Sequence, residues 1–248
     1  MALIKCPECG KPISTLAPTC PNCGCSSSAW KSENKQKILP IFAGTTFQFG
    51  TYPYDASGSI KPINWHVFAL SIDKRFAILY SEDIIDCRPY HESFSETNWD
   101  NSSIRYWLNN TFLKSAFSES EQAAMIAPFN KNPFSIDGHG GDLVFLPTAE
   151  DVINFFGNSN ESKMCHVTPY AQANGAWTDS VTGCGAWWVN GCFGKYAQSV
   201  KPTGEFDPQT GLAVDYNDIG VRPVIVVSYT PDAGEKETGW GSMGLVYL

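Results

Sequence analysis

No apolar run in this chain approaches the ~20 residues that a membrane-spanning helix needs. The opening residues, Met1-Ala2-Leu3-Ile4-Lys5-Cys6, lack the apolar core of a signal peptide, so the expectation is a cytoplasmic protein without membrane contact. Basic charge is scarce: 17 Lys and Arg against 25 Asp and Glu leave a formal charge of −8. A phosphate backbone or an anionic bilayer requires clustered cations, so nucleic acid and membrane surfaces are poor partners. Internal repeats and low-complexity tracts are also missing.

What is present is aromatic and turn-forming. Aromatic residues make up 13% of the 248, beside 21 Gly and 16 Pro, which points to a turn-rich β or α+β domain over a helical bundle. Nine cysteines are present, and four of them have metal spacing. The odd remainder, Cys25, Cys87, Cys165, Cys184 and Cys192, fits a reducing compartment better than a disulfide scaffold.

Residues 1–25 read as a zinc ribbon. Two Cys-Pro-x-Cys-Gly knuckles place Cys6, Cys9, Cys20 and Cys23 around one structural zinc ion. Gly10 and Gly24 free the backbone to aim amides at the sulfurs. So short a segment has almost no core, so the metal supplies its folding energy. Four thiolates leave no open position for catalysis. Cys25 reads as a bystander. The ribbon holds only Lys5 and Lys11 as basic groups, so its expected partner is protein. Residues 26–37 are polar and aperiodic, a linker in which Trp30 has no assigned place.

The main domain is expected over 38–248. Thr46–Gly50, Ile63–Leu70 and Arg75–Ser81 alternate as strands, the last two joined as a hairpin around Ser71–Lys74. His66 reads as structural. Ile104, Trp107, Leu108 and Phe112 share a helical face, capped by Asn101 or Ser102. Ser118 and Glu121 form a capping box, and Thr148–Asp151 opens a third helix. Asp137, His139 and Asp142 lie in a glycine-rich loop that reads as a mobile turn over a metal site. Leu143–Leu146 reads as a short strand, Cys165–Trp177 as irregular, and Leu245–Leu248 as an edge strand.

The stretch from Gly183 to Val227 organises the domain. Trp187–Val189 and Val224–Val227 read as two core strands that bracket a long polar surface excursion. Its aromatic and short polar side chains are the mixture that binding loops use. The candidate ligand-binding residues are Trp188, Asn190, Phe193, Tyr196, Gln198, Phe206, Asp215, Tyr216 and Asn217.

Several separated motifs carry a resemblance. They include Phe49-Gly50-Thr51-Tyr52-Pro53, Ile63-Asn64-Trp65-His66-Val67, Ser103 to Asn109, Val144-Phe145-Leu146-Pro147, Trp187-Trp188 and Gly220-Val221-Arg222-Pro223. In this order they resemble a bacterial family of unknown function similar to the C-type-lectin-like fold. That group includes formylglycine-generating, sulfatase-modifying domains and the display proteins of diversity-generating retroelements. The family usually continues the tryptophan doublet with Leu-Arg-Ser-Pro; here it runs Val189-Asn190-Gly191-Cys192. The resemblance implies a C-type-lectin-like domain with a mixed, twisted β-sheet, two or three helices and a loop-rich ligand face. The expected function is non-enzymatic binding of a protein or other macromolecular ligand at residues 190–218. The alternatives are an oxidase related to formylglycine generation that uses Cys184 and Cys192, and an adaptor working through the ribbon.

Overall fold

The structure is a computed structural model and describes residues 3–6, 8–14, 17–26, 44–71, 76–127 and 141–228. The expectations for Trp30, the linker, Asp137, His139 and Leu245–Leu248 lie outside these residues. The chain divides into two compact units, Met1–Ile38 and Leu39–Leu248.

In the first unit, β1 (Leu3–Lys5) pairs antiparallel with β2 (Pro12–Ser14). Its described buried side chains are Cys6, Ile13, Cys20 and Cys25, one aliphatic residue among four. A cluster this small cannot offset the entropy of ordering the chain, which leaves the folding energy to a metal.

The second unit is α+β, built on two five-stranded sheets. The first is antiparallel throughout. It runs in the order β3 (Thr46–Pro53), β4 (Ile60–Ser71), β5 (Phe76–Ser81), β12 (Val224–Ser228), β7 (Val144–Phe145). The second runs β10 (Leu212–Ala213), β9 (Tyr196–Val200), β8 (Trp187–Phe193), β11 (Gly220–Val221), β6 (Asp86–Cys87). Only its β8/β11 pair is parallel.

Two chain segments serve both sheets. Residues 76–87 and 220–228 run antiparallel to each other, pairing Tyr80 with Val224 in one sheet and Asp86 with Val221 in the other. They change sheets together at Ser81–Ile85 and Arg222-Pro223. Pro223 has no N–H to place in a ladder, and its carbonyl accepts from Ser81 N at 3.0 Å. The strand after the crossing is a run of β-branched residues, and Val224 to Val227 are all buried. The two strands read as one frame around the excursion therefore lie in different sheets, β8 in one and β12 in the other. The excursion is not all loop, since the end of β8, β9 and β10 form an antiparallel meander within it.

Local signals place the helices. Ser102 caps α1 (Ser103–Trp107), which continues through a π-helical turn (Leu108–Phe112) into α2 (Leu113–Ala116). Ile104, Trp107, Leu108 and Phe112 are buried on its inner face. Reciprocal capping boxes open α3 (Glu119–Ala124) at Ser118/Glu121 and α4 (Ala149–Phe156) at Thr148/Asp151. The stretch expected to be irregular contains a fifth helix, α5 (Pro169–Ala173), with Thr168 as N-cap and Pro169 in its first turn. His66 stacks on Tyr80 with ring centres 5.0 Å apart, a packing role. Among the described residues no helix is long and apolar enough to cross a membrane.

Candidate functional site

The four knuckle cysteines converge. Their sulfurs all lie within 4.8 Å of one another. Cys6 and Cys23 stand 3.7 Å apart, as do Cys9 and Cys20. A tetrahedron of sulfurs about 2.3 Å from zinc has edges of about 3.8 Å, so the donor set fits that ion. Each knuckle closes through a backbone bond, Gly10 N to Cys6 O and Gly24 N to Cys20 O, both 2.9 Å. Both glycines hold positive φ, 69° and 75°. Burial raises the Cys20 thiol, but the amides of Asn22 and Cys23 outweigh it and bring it down to about 6. The amide of Cys9 leads in lowering Cys6. Cys6 and Cys20 therefore surrender their protons readily to a metal, while at Cys23 the amide of Cys25 is outweighed by burial and the neighbouring thiols, which push it up to about 12. Cys25 stays outside the cluster, and its thiol faces the carbonyl of Ser26.

In the main unit the nine candidate ligand-binding residues separate into two sets. Trp188, Asn190 and Gln198 are interior. Trp188 is fully buried and donates from Nε1 to Arg88 O at 2.8 Å. Asn190 N donates to Pro147 O at 2.8 Å, and its carbonyl accepts from the Tyr90 hydroxyl. Gln198 donates to Pro208 O at 2.6 Å and fills the space beside Gly191, where a Cβ would lie 1.9 Å from its Oε1. These three hold strands together and present nothing to solvent. Phe206 is half-buried against the cluster around Trp187.

Phe193, Tyr196, Asp215, Tyr216 and Asn217 are exposed. Phe193 and Tyr196 pair across the tip of the β8–β9 hairpin, whose two-residue turn begins at Gly194 with φ 62°. A neighbouring loop packs on the tip: Thr97 N donates to Gly194 O at 2.9 Å, and Cys192 Sγ to Thr97 O at 3.4 Å. That loop contributes Phe94, a residue that no motif or periodicity singles out. Its ring meets Tyr196 edge-on at 5.9 Å, and Lys195 Nζ lies 5.2 Å from its centre. Phe94, Phe193, Tyr196 and Tyr216 each leave 47 to 50% of their surface to solvent.

The cysteines once paired by the oxidase reading are separated. Cys192 sits at the hairpin, whereas Cys184 bridges to His166 before β8 begins. The chain between them is largely extended, a separation on the order of 20 Å. Asp142 is likewise committed: Arg105 Nε donates to both its oxygens at 2.8 and 2.9 Å, and Trp99 Nε1 donates at 2.8 Å.

At the sheet crossing Arg222 is 5% exposed. Its Nε donates to Ser81 O at 3.1 Å, while its Nη1 has no partner among the described residues. The rings of Phe156, Tyr80 and Trp187 surround the guanidinium at 4.6 to 5.2 Å. Cation–π contact on three sides keeps this charge tolerable in the interior.

A zinc-ribbon domain family matches residues 2–25. No curated protein and no solved structure matches the chain. With its two sheets joined at the Arg222-Pro223 crossing, the main unit matches the family described as domain of unknown function (DUF6273) over residues 76–229, more than half of the chain, and the protein belongs to that family.

Proposed function

We propose that this protein is a non-enzymatic binding protein. Its main unit, C-type-lectin-like in architecture, engages a protein ligand through the hairpin face, and its zinc ribbon serves as a second protein contact. One observation carries the reading: Phe193 and Tyr196 stand half-exposed on a hairpin tip, beside a half-exposed Phe94 from the loop that braces it. Rigid aromatics give large contact area at little entropic cost, and recognition surfaces concentrate their energy in such residues. Asp215, Tyr216 and Asn217 add exposed polar and aromatic groups on the turn after β10. The resemblance to retroelement display proteins supports the same region as the presented one. A cytoplasmic setting agrees with a thiolate metal site and an odd remainder of five cysteines.

The test compares wild type with the triple variant Phe94→Ala, Phe193→Ala, Tyr196→Ala. Ligands captured by the full-length protein are identified and titrated calorimetrically against both. The expected loss is at least about 2 kcal/mol, or roughly thirtyfold in affinity. Unchanged affinity in a variant with native circular dichroism places the binding face elsewhere.

A further inference from the structure

Beyond the hairpin, three chain segments meet beside a cavity of about 370 Å³ lined by Glu82, Asp83, Glu161, Met164, His166, Thr182 and Cys184. His166 bridges antiparallel to Cys184, and Val167 bridges parallel to Ile84. The bonds around the first bridge are Val167 N to Gly183 O and Gly185 N to Cys165 O, both 3.0 Å. This pattern makes His166 and Cys184 a non-hydrogen-bonded pair, whose side chains share a face with Cα atoms about 4.5 Å apart. The parallel bridge sets Asp83 alongside His166 on that same face. Residues bearing a carboxyl, an imidazole and a thiol thus stand side by side across three segments, with no hydrogen bond between those side chains and the Cys184 thiol against Thr182 O at 3.7 Å.

The electrostatics agree with this order. Burial raises the Asp83 carboxyl, and His166 is the leading influence that opposes the rise. Arg222 also lowers it, more weakly than His166. Glu82 accepts from the Thr46 hydroxyl, and Glu161 is held in its charged form by the Ser159 hydroxyl. No basic side chain besides His166 lines the cavity; nearby Lys163 donates to the carbonyls of Gly157 and Ser159. The cavity is therefore acidic, with one thiol-bearing residue in its lining. Its donors do not form a metal cluster, since among the described residues only the ribbon cysteines converge closely enough.

We propose that Cys184 is a modifiable thiol that exchanges with small amine-bearing disulfides, with His166 carrying its proton, Asp83 positioning the imidazole, and Glu82 and Glu161 selecting cationic partners. His166 takes the thiol proton, and Cys184 sulfur attacks one sulfur of the disulfide. A protein–ligand S–S bond forms as the ligand's own S–S bond breaks. The departing sulfur takes the proton from His166 and leaves as a thiol. Cys184 is oxidised and half of the disulfide is reduced, so no further reactant is needed. Cys184 is 2% exposed, which limits the site to slender reagents. Cys184 faces a backbone carbonyl as the other thiols do, that of Thr182, but among the described thiols it alone lines this cavity; Cys87, Cys165 and Cys192 lie against the carbonyls of Asn217, Glu82 and Thr97 away from it.

The full-length, zinc-loaded protein is treated in parallel with cystamine and with dithiodipropionate, an anionic disulfide of similar reach. Adducts are mapped by peptide mass spectrometry over time. Cystamine is expected to modify Cys184 at least about tenfold faster than the anionic reagent, a difference of about 1.4 kcal/mol. Glu82→Gln with Glu161→Gln brings that ratio toward unity. His166→Ala slows exchange at Cys184 but leaves Cys192 of the same molecules unchanged. Asp83→Asn slows it too, and Asp83→Glu restores it, an outcome that a merely structural carboxylate would not produce. Equal rates with both reagents, or adducts on Cys192 with Cys184 spared, overturn the proposal.

Discussion

The two units of this chain reach stability by opposite routes. The ribbon unit has one described buried aliphatic residue, Ile13, set among three buried cysteines. The main unit buries Trp65, Trp187 and Trp188 completely, together with the continuous run Val224–Val227. In the first, specificity resides in four atoms and the ion they hold. In the second it is spread over two sheets and their helices. Damage at one point should therefore be total in the ribbon and graded in the main unit.

Removing the metal is the strongest way to try to break that contrast. Structural zinc contributes on the order of 10–16 kcal/mol to domains of this kind. Cys20→Ser, or a strong chelator, is expected to unfold the ribbon outright while leaving the main unit's thermal transition in place. Elemental analysis should find one zinc per wild-type chain and none in the variant. Ribbon amide resonances that persist without metal would show that its small cluster suffices, and the contrast would fail.

A single core deletion measures the graded side. Trp187 is fully buried, donates from Nε1 to Lys163 O at 3.1 Å, packs on Phe156 and forms one wall around Arg222. Trp187→Ala is expected to cost about 3–5 kcal/mol by denaturant titration, with the fold retained. The loss also removes one ring from an already buried charge, so the upper end of the range is expected. A cost under about 1 kcal/mol would mean that the crossing is not the centre of the packing.

What could be read from the sequence is what is local. Cys-x-x-Cys spacing and the caps at Ser102, Ser118 and Thr148 act over three or four residues, and all appear as expected. Thr168-Pro169 carried a legible start signal as well, but the helix it opens spans only five residues and shows too little periodicity to be recognised. Two features were beyond local reading. Gly220-Val221 carries no strand signal of its own, and only the partners supplied by residues 76–87 place it in one sheet and Val224–Ser228 in the other. Asp83, His166 and Cys184 are far apart in sequence, and their row exists only through bridge register. The burial of Asn190 and Gln198 escaped local reading for a related reason: a strand buried on both faces does not alternate, so polar residues in it look exposed.

The two units should also respond to acid with opposite sign. In the ribbon, protons compete with the metal for thiolates, so stability falls as pH falls. In the main unit, burial raises the Asp151 carboxyl to about 6 from 3.8, against the opposing bonds from Thr148. The folded state then keeps a proton that the unfolded state has released between those values. Asp151 therefore favours folding at low pH, and its contribution declines as pH rises from about 4 through about 6. A shift of about two units sets a ceiling near 3 kcal/mol. Asp151→Asn stays neutral throughout and can still accept from Thr148, so it should remove this slope. Chemical denaturation of wild type and variant at pH 5 and pH 7 checks it. The variant's advantage should be larger at pH 7, and an equal advantage at both would show that the capping bonds, not burial, govern this carboxyl.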